Sequence, residues 1–95
     1  MHARKATQNL IAALRLLEAL KMQLEAEDEE AIERSVEEFG VLVPVLAVFR
    51  TDRRVNSFVE AIRIRRLKQA EVVAEAITAL RQILQEHETS RDIYI

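Results

Sequence analysis

The chain has 95 residues, 49% hydrophobic and 32% charged, with one Gly, one Pro and no Cys. That suffices for one core and excludes disulfides, thiolate metal sites and cysteine nucleophiles. Aromatic residues at 4% and the absence of Trp leave little to stack on bases or sugars, so recognition by stacking is not expected. The heavy use of Ala, Leu, Glu and Arg, which lose least on entering a helix, predicts an all-α fold: a single helical domain over 1–95, with three main helices at about 6–27, 29–50 and 57–88 and a tail at 89–95.

The first helix places Leu10, Ala13, Leu14, Leu17, Leu20 and Leu24 on one arc at about 100° per residue, with Arg15, Glu18 and Glu25 outside it. The three-four spacing of these residues suits packing of near-antiparallel helices in a hairpin or bundle. Leu16 lies beyond the arc, so the buried surface is wider than one neighbour covers. Charged residues at Arg15, Glu18 and Lys21 interrupt the apolar run, which argues for an amphipathic helix over a signal peptide. No stretch reaches the roughly eighteen apolar residues of a membrane span, and a soluble, cytoplasmic protein is expected.

EAEDEEAIERS breaks the chain without Gly or Pro. Asp28 is placed to accept from the free amides of a second helix, and Glu29, Glu30 and Glu33 sit where the positive end of the helix dipole favours carboxylates. Ile32, Val36, Phe39 and Val43 form its inner face. From Val41 the outer face turns apolar as well, because Val41, Val45 and Val48 occupy the sector that Arg34 and Glu37 held a turn or two earlier. The run VLVPVLAVF, Val41 to Phe49, carries no charge. Pro44 lacks the amide that would bond the Gly40 carbonyl, which predicts a kink at Gly40–Pro44. The run's length and alternation also allow a short buried strand.

Ser57 and Glu60 read as a capping box opening a long third helix to about Glu88. Phe58, Val59, Ile62, Ala70, Val73, Ile77, Leu80 and Leu84 share an arc, but Arg65, Arg66 and Gln69 intrude on it while Ile64 and Leu67 point away. The phase breaks across Ile64–Gln69, so the helix either kinks there or meets carboxylates across an interface. The tail HETSRDIYI is without periodicity and ends in apolar Ile93, Tyr94 and Ile95, which suit docking onto the body or a partner.

Charge is segregated. Residues 18–38 hold nine acids and two bases, and 50–68 hold seven bases and two acids. Such asymmetry sets orientation and pairing, so the two segments are expected to face one another within the chain or across a dimer. Arg53, Arg54, Arg63, Arg65, Arg66 and Lys68 are the candidate charged contacts, for an acidic protein surface or for phosphates, although a pI near 5.7 is low for a nucleic-acid domain.

No constellation is specific to a chemistry. Glycine-rich phosphate loops and nucleophile elbows are missing. His2 and His87 are the two histidines; His87 near a helix C-terminus complements the dipole, and no second His stands at i+4, so no metal or cofactor is expected. RQILQEH, Arg81 to His87, loosely resembles the Arg and His motif of small helical ribonucleases of the HEPN class, which implies Arg81 and His87 paired across a dimer to cleave RNA. LLEALKMQLEAEDEEAIE is similar in layout to flagellar export chaperones of the FlgN and FliT kind, which implies a binder of an amphipathic helix from a secreted partner. The expectation from the residues themselves is a non-enzymatic interaction or assembly module, a homo-oligomer with a dimer favoured, that self-associates through Val41, Val45, Val48 and Phe49. Nucleic-acid binding through the basic segment is the alternative.

Overall fold

A computed structural model describes the backbone of residues 2–93 and the side chains of residues 5–87. Among these residues the chain forms four α-helices: α1 (His2–Glu25), α2 (Glu29–Leu46), α3 (Arg53–Arg63) and α4 (Ala70–Ile93). Short 3-10 turns at Ala47–Phe49 and Arg66–Lys68 join the later ones. The four-helix count corrects the expectation of three, because the long third helix is two. The break falls at Ile64–Gln69, where the hydrophobic phase fails, and Val41–Leu46 is helix and not strand.

α1 is the centre of the packing, with α2 and α4 laid against it, while α3 bridges α2 and α4. The body measures 45 × 22 × 20 Å, and the long dimension accommodates α1 and α4, each about 36 Å at 1.5 Å per residue. Leu10, Ala13, Leu17 and Leu20 of α1 are fully buried, as their spacing predicts, and Leu14, Leu16 and Leu24 pack half-buried at the margin. On α2 the buried line is Ala31, Ser35, Phe39 and Leu46, with Ile32 and Val43 half-buried beside it. The Phe39 ring meets Phe58 of α3 edge to face, with centroids 5.8 Å apart. The one buried polar side chain among the described residues, Ser35, donates to Gln23 Oε1 at 2.7 Å and ties α2 to α1, so its desolvation is offset by a partner.

The α1–α2 connection forms without glycine. Glu27 adopts a left-handed conformation (φ 56°), while the Asp28 amide donates to the Gln23 carbonyl at 3.1 Å and the Glu27 amide to Leu24 at 3.2 Å. This pair of bonds is the Schellman arrangement, which satisfies the last carbonyls of α1. Asp28 then caps α2, its Oδ1 accepting from the Ala31 amide at 3.2 Å, with Glu29 and Glu30 in the first turn.

α2 continues through Gly40 and Pro44 and stops at Leu46. Pro44 sits in the last turn, where a missing amide costs one bond before the helix ends. α3 starts at Arg53, four residues ahead of the expected start, because Asp52 caps it: Asp52 Oδ1 accepts from the Arg54 amide at 2.8 Å. The Asp52 backbone is extended (φ -88°, ψ 120°), the geometry of an N-cap, and Ser57 lies inside the helix. α3 ends when Arg65 turns left-handed (φ 58°). The 3-10 turn that follows drives Leu67 into the core at 1% exposure and leaves Ile64 outside at 53%. α4 extends through residues 89–93, where a tail without periodicity was expected; the docking expected of Ile93, Tyr94 and Ile95 lies outside the described side chains.

Candidate interaction surface

The outer face of α2 carries Val41 and Val45, exposed to 75% and 40%, and Val48 follows on the 3-10 turn beyond it, exposed to 67%. They stay outside because the inner face of the helix, centred on Phe39 and Leu46, already fills the space against α1 and α3. α1 continues the surface sideways: Ala12, Leu16 and Ala19 line a shallow groove with Val41 and Leu42, bordered by Arg15 and Glu38. Apolar side chains that rise singly from a surface are ordinary, but this cluster spans two adjacent helices. Phe49, expected on the same face, turns inward instead. It is half-buried and packs edge to face on His87, with ring centroids 5.7 Å apart, so the last residue of the apolar run joins the second helix to the fourth.

The basic segment is divided. The Arg54 guanidinium lies between two carboxylates, donating to Asp52 Oδ2 at 2.8 Å and to Glu86 Oε2 and Oε1 at 2.7 and 2.8 Å. This two-pronged contact joins α3 to α4. Lys68 pairs with Glu33 of the acidic segment. Arg53 and Arg66 border the groove between α3 and α4, whereas Arg63 and Arg65 border the one between α2 and α3 opposite Glu33 and Glu37. Acidic and basic segments therefore meet within the chain at Glu33, and the remaining arginines do not share one face.

The ion pairs shift their members in predictable directions. Hydrogen bonding to Arg54 holds Asp52 and Glu86 below the usual carboxylate range, and Lys68 with Arg65 does the same to Glu33; Arg54 is held further above its ordinary value by Glu86 and Asp52. A carboxylate depressed in the folded state contributes stability that is present above its unfolded value near 4 and lost as pH falls through that value and below. The melting temperature is thus expected to drop between about pH 5 and pH 3, and Arg54→Met is expected to flatten that dependence. A melting series giving parent and variant the same slope would refute the assignment.

Arg81 and His87 are on α4, but Arg81 donates to Glu18 Oε2 of α1 at 2.8 Å and His87 faces Phe49. His2 has its side chain outside the described residues. Among the described residues no group of three or more His, Asp or Glu side chains is placed to hold a metal ion, and no helix is long and apolar enough to cross a membrane. Sequence reasoning missed Ala12 and Ala19, whose outward position beside the valines depends on how α1 and α2 pack. The arrangement defines a small all-α protein with an apolar outer face on its first two helices. No family model, curated protein or solved structure matches the chain.

Proposed function

We propose that the chain is a non-enzymatic assembly module that self-associates as a homodimer through the outer face of α1 and α2. The observation that carries this reading is the exposure of Val41 and Val45 on α2 and of Val48 on the turn that follows it, beside the half-buried Leu16 and Leu42. Covering such a surface removes apolar area from water at about 25 cal/mol per Å². The outer face of the two adjacent helices, about 27 Å long and roughly 18 Å wide, is on the order of 500 Å² per copy, apolar at the valine end and charged at the end that carries Arg34 and Glu37. Doubled, it reaches the lower limit of specific interfaces at about 1,000 Å², which corresponds to a weak or moderate dimer.

Nucleic-acid binding has less support, because Glu86 and Glu33 engage Arg54 and Lys68 and the other arginines split between two grooves. Sedimentation equilibrium over a wide concentration range tests the assembly reading. The parent is expected to dimerise, and Val45→Glu is expected to be monomeric with unchanged helicity, since a buried carboxylate at the interface would lack a partner. A parent that stays monomeric throughout rejects the reading, as does a Val45→Glu chain that dimerises as tightly as the parent.

A further inference from the structure

The link between α3 and α4 is unusual in what it lacks. Ile64–Gln69, IRRLKQ, has neither Gly nor Pro, and every residue in it is compatible with a helix interior. The bend is nonetheless made by a left-handed Arg65 (φ 58°), a conformation that disfavours any side chain with a Cβ. What holds it is tertiary: Leu67 inserted in the core, and Lys68 paired with Glu33. Local preference and tertiary contacts therefore oppose each other at this hinge. α4, for its part, packs chiefly on α1, not on its neighbour α3, so the α1 of a second copy offers it the same principal seat.

From this we infer that the hinge can straighten, fusing α3 and α4 into one helix, and that the partner it then takes is a second copy of this chain, the two copies exchanging α4. A continuous helix from Arg53 to Ile93 would be about 60 Å long, too long to fold back on its own body. Exchange re-forms the same α1–α4 contacts between copies, including the pair of Arg81 with Glu18. The two straight helices would cross at the hinge, where Ile64 and Leu67 stand at i and i+3 on one side of the helix and are available to pack against their counterparts. Ile64, exposed in the bent form, gains a partner there. Short hinges under conformational conflict are where such exchange arises. This route is independent of the valine face.

The chain's lack of cysteine makes a direct test available. Glu18→Cys and Arg81→Cys are combined in a Val45→Glu background, which disables the valine face, and the protein is refolded at a series of concentrations and joined with a short bis-maleimide cross-linker. Exchange predicts covalent dimers that increase with concentration. Arg65→Gly removes the penalty at the bend and is expected to weaken the exchanged dimer about fivefold per hinge, roughly 25-fold in its dissociation constant. Cross-links confined within single chains at every concentration would overturn the inference, and so would an interchain yield that Arg65→Gly leaves unchanged. Because the valine face is already disabled, neither result bears on the proposed assembly surface, which is judged by the mass of the parent.

Discussion

Phe39→Ala is expected to lower the stability of the chain by about 3–5 kcal/mol. Phe39 is fully buried on α2 and meets Phe58 edge to face, and its removal loses both the transfer energy of the ring and the contacts that lined it. α3 is tied to α4 by the pairing of Arg54 with Glu86, which opposes its moving in to fill the space. With roughly 4–8 °C of melting temperature per kcal/mol for a domain of this size, the midpoint is expected to fall by at least about 12 °C in thermal unfolding followed by circular dichroism. Val41→Ala is the contrasting control. That side chain is 75% exposed, and the monomer's stability is expected to change by less than about 0.5 kcal/mol. Comparable losses in the two variants would mean that α2 presents the wrong face to the core.

The second large effect is at the hinge. Leu67→Ala is expected to cost about 2–5 kcal/mol, as for a helix-core leucine, although Leu67 belongs to a 3-10 turn and not to a long helix. At 1% exposure it contacts the main hydrophobic cluster and anchors the bend that lets α4 return along α1. Ile64, three residues earlier and mostly exposed, is expected to tolerate alanine at less than about 0.5 kcal/mol. Arg65→Gly, measured alongside, is expected to stabilise the bent form by about 0.5–1 kcal/mol, since glycine adopts φ near +60° without the Cβ clash but has more freedom to lose on folding. Denaturant melts separate these outcomes, and an equal response at Ile64 and Leu67 would show that the helix is not interrupted where the structure places the break.

Much of the fold is legible in the residues because its causes are local. The face of α1 follows from leucines repeating every three to four positions, and nothing in the surroundings competes with it. Asp28 signals its own role, since a short carboxylate ahead of an acid-rich segment satisfies free amides at a helix start. The outer valine stripe is readable for the same reason, as three residues on one helical sector. The cap of α3 is harder: Asp52 and Ser57 are both competent, and the choice falls to Asp52 because the chain leaving α2 delivers it in extended geometry, with Asn56 Nδ2 closing on the Arg50 carbonyl at 2.6 Å. Phe49 misleads because it belongs to the apolar run by position, yet the turn after Leu46 rotates it toward His87.

By itself, then, the sequence determined that this chain is helical, which stripe of each helix is apolar, and that acid and base are concentrated in different segments. Composition and periodicity act within a few residues and need no partner to be expressed. Only the tertiary structure decided that the third helix breaks at Ile64–Gln69 and by what turn, which arginines are engaged, and that Phe49 leaves the outer apolar face. Arg65 carries no local signal for a left-handed turn; the bend exists because burying Leu67 and pairing Lys68 with Glu33 outweigh its cost. In the same way Arg54 differs from Arg53 in what lies opposite it, since only the return of α4 brings Glu86, 32 residues away, into contact with its guanidinium.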